Sequence, residues 1–217
     1  MTIVKAVLFD FDGVLADTME YNYQAWYGAF KKYGISLQRE DYFPLEGVQL
    51  DEIVRIITTK YGISNIDSSD VILTKEALFK KDFKFNNYPG VVPLITALKR
   101  SRIQMAIVSA GSRQRLFDTT PHQFLNMFDV IVTGDKVERG KPYPDPYLKA
   151  MRELSILPHE SIVVENALIG IQAAKSAGAL CIAIASTQDK SFLKEADFII
   201  DRFSDLATLE IIQNLIT

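Results

Sequence analysis

Near its start the chain reads Val4-Lys5-Ala6-Val7-Leu8-Phe9-Asp10-Phe11-Asp12-Gly13, an apolar run that ends in two acids. Residues 4–9 have the length and composition of a strand buried on both faces of a parallel sheet. Similar runs, rich in valine and isoleucine, recur further along. They cover residues 105–108, 130–132, 162–164, 180–184 and 198–200. The sequence therefore predicts several buried, parallel strands.

Segments with helical periodicity lie between most of these strands. They cover residues 92–99, 123–128, 145–154, 168–177, 191–195 and 206–215. Alternating strands and helices are typical of a doubly wound α/β domain, in which helices cover both faces of a parallel sheet. We expect this fold class.

One long interval breaks the alternation. Residues 17–86, between the first and second strands, show helical periodicity and no strand-like run. Because compact domains rarely contain a structureless loop of this length, we expect an inserted helical domain. The aromatic residues of segment 21–30 are interpreted as its core. The predicted division is therefore 1–16 and 87–217 for the α/β core, and 17–86 for the helical insertion.

Composition excludes several classes of protein. Of 217 residues, 48% are hydrophobic and 24% charged, which is ordinary for a globular protein. The 24 Lys and Arg residues against 27 Asp and Glu residues give a net charge of -3, without the basic patch of a nucleic-acid-binding protein. No segment approaches the ~18 apolar residues of a membrane span. The single cysteine, Cys181, lies in an apolar run, so we expect a buried thiol in a cytoplasmic protein.

Two acids end the first strand. Because side chains alternate along an extended chain, Asp10 and Asp12 should point to one side while Phe11 turns into the core. A divalent cation would relieve the repulsion between the two carboxylates. With no cluster of histidine and cysteine nearby, the pattern favours a hard cation such as Mg²⁺. A simple strand-ending turn is the alternative.

Polar residues also follow later strands. Ser109-Ala110-Gly111-Ser112 offers a hydroxyl and a small-residue turn to a phosphate, with an ordinary helix N-cap as the alternative. Lys141 lies in a proline-stiffened segment, where a fixed ammonium group could neutralise a phosphate. Glu165 and Asn166 are candidate metal ligands. The small residues Gly170, Ala174 and Gly178 are expected to let the next helix pack closely on the sheet.

In this order and at these separations, the motifs resemble those of the haloacid dehalogenase superfamily of phosphotransferases. The resemblance covers essentially the whole chain, and the residues that carry it are 10–18, 109, 141–142, 163–166, 170–175 and 177–178. It points to the branch with a helical cap after the first motif, which includes β-phosphoglucomutase-like enzymes and many small-metabolite phosphatases. It implies a Rossmann-like core, with residues 17–86 as the helical cap.

The resemblance also implies a mechanism. Asp10 would attack phosphorus to form an aspartyl-phosphate, and Asp12 would protonate the leaving oxygen and later activate water. Dehalogenases of the superfamily lack the second Asp, so Asp12 favours phosphoryl transfer. The implied phosphate-binding residues are Ser109, Ala110 and Lys141. The implied Mg²⁺ ligands are Asp10, Asp12 through its carbonyl, Glu165 and Asn166.

The chain departs from the family pattern at three positions. Asn166 stands where an Asp is usual, so either Glu165 takes more of the metal or the metal binds more weakly. Asn22 stands where mutases of the branch carry a His, and Leu50 stands at about the position of their cap Arg. The last two departures disfavour a mutase, because the proton carrier and the receptor for a distal phosphate are both missing.

Two cap residues are candidates for substrate contact. Glu46 is either a solvated loop acid or a residue that faces the active site. In the second case, an acid at this position resembles the arrangement in inorganic pyrophosphatases of this branch. Lys75 is either an exposed helix lysine or the counterpart of a cap lysine that contacts substrate. The sequence leaves both pairs of alternatives open.

The expected function is that of a Mg²⁺-dependent phosphatase acting on a small phosphorylated metabolite, such as a sugar phosphate, through phospho-Asp10. The main alternative is an inorganic pyrophosphatase of the same family. A β-phosphoglucomutase-type mutase and an inactive protein that binds a phosphorylated ligand are less favoured. We expect a monomer, with a dimer as the alternative, that binds neither nucleic acid nor membrane.

Overall fold

The computed structural model of the protein describes residues 4–216. The strands are β1 (Ala6–Phe9), β2 (Gln104–Val108), β3 (Val130–Val132), β4 (Ser161–Glu165), β5 (Leu180–Ile184) and β6 (Phe198–Ile200). The α-helices are α1 (Met19–Lys31), α2 (Arg39–Tyr42), α3 (Leu50–Lys60), α4 (Ser68–Asp82), α5 (Val91–Arg100), α6 (Arg113–Thr119), α7 (His122–Leu125), α8 (Asp145–Glu153), α9 (Leu168–Ala177) and α10 (Glu210–Ile216).

All six strands are parallel, and their order in the sheet is β3-β2-β1-β4-β5-β6. The first strand of the chain therefore lies near the centre, between β2 and β4. Phe9 is level with Ile107 on one side and Val164 on the other. This register brings the carboxyl ends of three neighbouring strands to the same edge of the sheet.

The side chains of β1 alternate between two apolar cores, one on each face of the sheet. Val7 and Phe9 join the core covered by α5, α7 and α10. Ala6 and Leu8 join the core covered by α8 and α9. Because both faces are covered, each position of the strand must be apolar, which explains its continuous apolar sequence. The predicted doubly wound, Rossmann-like α/β fold is confirmed.

Helices α1 to α4 lie between β1 and α5 in the chain and share a third apolar core. Trp26 and Phe30 of α1 are buried in it, and their ring centroids are 5.5 Å apart. The chain passes between the two parts next to an antiparallel bridge of Ala16 with Asn87. This bridge supports the division at residues 17–86, which stays a prediction.

The largest departure from the predicted elements is α6. A helix N-cap in segment 109–112 was one of the predicted alternatives, but the helix itself was not delimited, because its first turn, Arg113-Gln114-Arg115, contains no apolar residue and so gives no helical periodicity. Its start is set locally, by the Ser112 hydroxyl, which accepts a hydrogen bond from the backbone N–H of Arg115 (3.2 Å). In addition, the helix predicted at residues 191–195 is a short 3₁₀-helix, Lys190–Phe192.

Two expectations from composition concern burial. Cys181 is fully buried in β5, as expected of a structural thiol. Within residues 4–216, no helix has both the length and the apolar composition needed to cross a membrane.

The small residues of α9 have different roles. Gly170 lies in the first turn, where a Cβ would lie 1.9 Å from Oε1 of Glu165. The missing side chain therefore makes room for a buried carboxylate. Ala174 is fully buried against the sheet, as predicted. Gly178 is exposed and follows the helix with φ of 84°, so the prediction that it packs on the sheet is wrong. It ends the helix because glycine readily adopts this left-handed conformation.

We expect Gly170→Ala to lower the free energy of unfolding by about 1–3 kcal/mol. The added methyl group would displace the Glu165 carboxylate, and this clash outweighs the roughly 1 kcal/mol of helix propensity that alanine gains over glycine. Urea denaturation followed by circular dichroism measures the change. Ser176→Ala, at an exposed position of the same helix, is the control. An unchanged urea midpoint for Gly170→Ala would contradict the argument.

Candidate active site

The candidate site lies at the carboxyl ends of β1, β2 and β4. Asp10 follows β1, Ser109 follows β2, and Glu165 and Asn166 end and follow β4. The chain leaves β1 toward β2 and β3 on one side and later builds β4 to β6 on the other side. Ligands of doubly wound sheets bind at such a reversal point, because the connections diverge there and leave a crevice.

A buried lysine joins two carboxylates at this edge of the sheet. The Lys141 ammonium group donates to Asp10 Oδ1 (2.5 Å), to Glu165 Oε1 (2.6 Å) and to the Val108 carbonyl (3.2 Å). Burial by itself lowers the pKa of Lys141, but Asp10 and Glu165 outweigh it and hold the pKa above its ordinary value. Lys141 is therefore a permanent positive charge, as a phosphate-binding role requires.

Burial has the opposite effect on Asp10. It raises the pKa of Asp10 above its ordinary value, and although Lys141 opposes this shift, the nearby carboxylates of Glu165 and Asp12 add to it. One lysine cannot balance both Asp10 and Glu165. The region around Asp10 is therefore short of positive charge, which is a condition that favours cation binding.

Glu165 is fully engaged by the protein. Its Oε1 accepts hydrogen bonds from Lys141 and from the hydroxyl of buried Tyr147 (2.6 Å). Its Oε2 accepts from the backbone N–H groups of Asn166 (2.9 Å) and Ala167 (3.3 Å). Four donors occupy the lone pairs of this carboxylate, so Glu165 is placed to position Lys141 rather than to bind a metal directly.

The side-chain oxygen of Asn166 is free to bind a ligand. Its Nδ2 donates to Glu46 Oε1 and to Thr187 Oγ1 (2.9 Å), whereas its buried Oδ1 lacks a hydrogen-bond partner. A buried amide oxygen without a partner is costly, and a bound cation would remove that cost. Of the two candidate ligands after β4, Asn166 is therefore the better placed.

The candidate Mg²⁺ ligands are oxygen atoms of three kinds, from a carboxylate, a backbone carbonyl and a side-chain amide. The acids, histidines and cysteines of residues 4–216 form no group of three arranged to hold a metal. A cation near Asp10 would instead depend on one Asp10 carboxylate oxygen, the Asp12 carbonyl and Asn166 Oδ1. All three are oxygen donors, which Mg²⁺ prefers.

Glu46 connects the cap to the core. It is only 4% exposed, and its carboxylate accepts hydrogen bonds from Asn166 and from Thr187 Oγ1 (2.7 Å). Burial raises its pKa well above the ordinary value, although both hydrogen bonds oppose the shift. Of the two interpretations of Glu46, the one in which it faces the site agrees with this geometry, and a solvated loop acid does not.

Asp12 belongs to a second ionic cluster. Its carboxylate accepts a pair of hydrogen bonds from Arg115 (2.6 and 3.1 Å) and others from Thr18 (2.6 Å) and Asn22 (3.2 Å). Burial alone would raise the pKa of Asp12, but Arg115 and Thr18 hold it well below its ordinary value. In this state Asp12 is a carboxylate with its oxygens committed to the protein.

Sequence reasoning did not identify Arg115. It lies on α6, and its side chain is only 4% exposed, whereas Arg113, two residues earlier, is exposed. A Cβ at position 111 would lie 2.1 Å from Arg115 Nη2, so the glycine leaves room for the guanidinium. The sequence contains little signal for this role, because Arg113 and Arg115 occur in the same short, polar turn. Gly111 is the one local indication.

Lys75 is buried under the cap. It is 1% exposed, its ammonium group lies 3.0 Å from Glu76 Oε1, and it lies 5.5 and 5.1 Å from the ring centroids of Trp26 and Phe79. Burial, with a contribution from Arg115, lowers its pKa to about 8. The interpretation of Lys75 as an exposed helix lysine is therefore not supported.

These groups surround a cavity of about 40 Å³ between the cap and the core. Seven of the predicted site residues line it, and they are Asp10, Asp12, Glu46, Lys75, Ala110, Glu165 and Asn166. Ser109 and Lys141 lie next to it, through contacts with Asp12 (3.4 Å) and Asp10 respectively. The structure thus brings the predicted residues of the core and the cap together around one space.

Comparison with known proteins identifies the family to which this chain is similar. The profile of the haloacid dehalogenase-like hydrolases matches residues 7–184. Validoxylamine A 7'-phosphate phosphatase of Streptomyces hygroscopicus subsp. limoneus is 28% identical over 93% of this chain and 95% of its own length. β-Phosphoglucomutase of Bacillus subtilis is 30% identical over 96% of this chain and 94% of its own length.

Among solved structures, this chain is similar to that of CbbY (mutant D10N) from Rhodobacter sphaeroides in complex with xylulose-(1,5)bisphosphate. The TM-score is 0.82 and the identity 28%, with 94% of this chain and 96% of that chain covered. The similarity therefore extends over both the sheet and the helical insertion.

We expect Asn166→Asp to destabilise the protein when divalent cations are removed by a chelator. The Asp side chain cannot donate to Glu46 and would bring a second carboxylate to the same buried position, at a cost of about 1–3 kcal/mol. Thermal unfolding measures the change. In the double variant Glu46→Gln/Asn166→Asp, an amide at position 46 can donate to a carboxylate at position 166, which reverses the direction of the wild-type hydrogen bond. This double variant should therefore recover most of the lost stability. A double variant as unstable as Asn166→Asp would contradict the proposed contact.

Proposed function

This chain belongs to the haloacid dehalogenase-like hydrolases, and we propose that it is a Mg²⁺-dependent phosphatase that hydrolyses a small phosphorylated metabolite through an aspartyl-phosphate. The single observation that carries the proposal is the arrangement of Asp10, Lys141 and Glu165 at the carboxyl end of β1. An acid fixed beside a permanent ammonium group suits a nucleophile that must approach an anionic phosphoryl group.

In the first step, an oxygen of Asp10 attacks phosphorus and the bond from phosphorus to the leaving oxygen breaks. Asp12, which is ionised in the described state, first takes a proton from solvent and then gives it to the leaving oxygen; the proton that it gains from water in the second step returns to solvent. In the second step, water attacks phosphorus, Asp12 takes a proton from that water, and the bond from phosphorus to Asp10 breaks. The sum is hydrolysis to an alcohol and phosphate, with both aspartates restored.

Other residues would hold the phosphoryl group. Lys141 and the turn that begins at Ser109 supply donors, and the Ser109 hydroxyl is oriented there by the backbone N–H of Gly111 (3.1 Å). Asp10, the Asp12 carbonyl and Asn166 would hold Mg²⁺, which supplies positive charge against the phosphoryl oxygens when it is bound. Glu165 would act through Lys141, which it keeps in place.

Two competing functions, a mutase and an inactive binding protein, are less well supported by the site. A mutase is disfavoured because the Asn22 amide, which donates to Asp12, cannot carry a proton to and from a sugar hydroxyl. An inactive binding protein would have no need of an acid at position 10 that is buried beside Lys141. We therefore keep the phosphatase as the leading proposal.

A specific contact favours the inorganic pyrophosphatase as the second candidate. Glu46 reaches Asn166 from the cap, so the cap supplies a carboxylate next to the proposed metal ligand. An anion at this position would disfavour an anionic sugar phosphate unless a further cation intervenes, and pyrophosphate commonly binds together with cations.

We expect Asp10→Asn to lower the rate of Mg²⁺-dependent phosphate release from p-nitrophenyl phosphate by at least about 10³-fold, because the amide cannot act as the nucleophile. Asp82→Asn, at an exposed position in the cap, is the matched control. Mass spectrometry of acid-quenched protein should detect a phosphoryl adduct on Asp10 in the wild type. Full activity of Asp10→Asn would disprove the mechanism.

The two candidate substrates are separated by comparing pyrophosphate with a panel of sugar phosphates. A phosphatase should prefer members of the panel, whereas a pyrophosphatase should prefer pyrophosphate by at least about 10²-fold in kcat/KM. In the second case, Glu46→Gln should reduce hydrolysis of pyrophosphate more than that of p-nitrophenyl phosphate. Equal effects of Glu46→Gln on both compounds would count against a role for Glu46 in pyrophosphate specificity.

A further inference from the structure

Two unpartnered polar atoms belong to side chains around the cavity. Four buried side-chain nitrogen or oxygen atoms within residues 4–216 lack a hydrogen-bond partner. Only Asn166 Oδ1 and Arg115 Nε among these four belong to cavity-lining residues. The proposed Mg²⁺ accounts for the first. The second is a hydrogen-bond donor on a positive charge, so its missing partner is an anion or another acceptor.

The guanidinium of Arg115 is held in a fixed place. It lies against Gly111 in the turn after β2, with its central carbon 4.9 Å from the ring centroid of Phe79 in the cap. It is therefore adjacent to the proposed phosphate-binding turn. An anion that meets this group must be close to the phosphoryl group that is transferred.

The second ionic cluster, beneath the cap, has equal numbers of positive and negative side chains. Two cations, Arg115 and Lys75, face two acids, Asp12 and Glu76. Glu76 is paired with Lys75 at 3.0 Å and is 4.0 Å from Arg115 Nε, so Asp12 is the main partner of the guanidinium.

Asp12 cannot keep this partnership throughout the proposed reaction. Its two oxygens accept hydrogen bonds from Arg115, Thr18 and Asn22, whereas catalysis requires one of them at the leaving oxygen. When Asp12 turns to the leaving oxygen, Arg115 loses its main partner in a buried position. An unpaired buried guanidinium is strongly unfavourable, so another acceptor must replace the carboxylate.

We propose that Arg115, assisted by Lys75, binds an anionic group on the leaving part of the substrate. The inference rests on the proposed function and narrows its substrate class to compact phosphate esters or anhydrides whose leaving group carries a carboxylate or a second phosphoryl group. Both anions present the paired oxygens that a guanidinium fork binds. The substrate anion then replaces Asp12 on Arg115, and Asp12 is released to the leaving oxygen.

The proposed binding site for the leaving-group anion uses residues of both the core and the cap. Leu50, at the start of α3, lines the same cavity but offers no charge. Among the described residues that line the cavity, the cations are Lys75 of α4 and Arg115 of α6. A neutral leaving group would leave both without an added partner.

The test compares two esters of similar size that differ in the anion. Phosphoglycolate carries a carboxylate on its leaving group, and 2-hydroxyethyl phosphate carries a hydroxyl in its place. With Mg²⁺ present, wild-type kcat/KM should be at least about tenfold higher for phosphoglycolate. Pyrophosphate forms a third arm, which separates a phosphoryl from a carboxylate anion.

Arg115→Gln should reduce this preference to about twofold or less, mainly by raising KM for phosphoglycolate. Arg113→Gln, at an exposed position of the same helix, should retain it. Arg115→Lys should keep part of it, because it retains the charge but not the fork. As a measurement that needs no variant, glycolate should inhibit wild-type hydrolysis of p-nitrophenyl phosphate, whereas ethylene glycol at the same concentration should not.

The outcomes separate the inference from the proposed function. If the wild type hydrolyses both esters equally and glycolate does not inhibit, the inference is wrong while the phosphatase proposal stands. If Arg115→Gln loses the same factor on both esters, Arg115 only positions Asp12 and the inference is again wrong. If the wild type releases no phosphate from any of these compounds, the proposed function fails and the inference fails with it.

Discussion

The contact of Lys141 with Asp10 and Glu165 is the constraint on which the rest of the site depends. It places an ammonium group between two carboxylates at the ends of the adjacent strands β1 and β4, where all three side chains are buried. A buried acid without a partner would be unstable, so neither carboxylate could remain charged there without the lysine. Two further residues support this arrangement. The Tyr147 hydroxyl donates a hydrogen bond to Glu165, and the missing side chain of Gly170 leaves room for the Glu165 carboxylate.

A second layer of contacts links the cap to this core. Glu46 reaches Asn166, and Arg115 of the core lies against Phe79 of the cap while it holds Asp12. The two contacts share no residue and involve different charges. The first adjoins the proposed metal site, and the second adjoins the proposed position of the leaving group. A substrate that binds in the cavity would therefore meet both a cation-binding group and an anion-binding group.

The sequence predicted the sheet well because the four central strands, β2, β1, β4 and β5, are covered on both faces and so read as apolar runs. The positions of the acids at strand ends followed from the same argument, since parallel strands bring their carboxyl ends to one edge. The role of Arg115 was not predictable in this way, because burial of α6 depends on the cap and not on a local pattern. The choice between Glu165 and Asn166 was also open, since it depends on hydrogen bonds from Tyr147 and Lys141 that the order of residues does not reveal.

The amide at position 166 then has a physical explanation. An Asp in its place could offer an oxygen to a cation, but as a carboxylate it could not donate to Glu46. Asn166 does both, because Nδ2 is bound to Glu46 and Thr187 while Oδ1 stays available. Glu46 of the cap brings the carboxyl group that position 166 lacks, and a bound cation would favour its ionised form, against burial, which raises its pKa. The carboxyl group that the family pattern has at position 166 is therefore provided from the cap, which argues against reading Asn166 as the mark of an inactive protein.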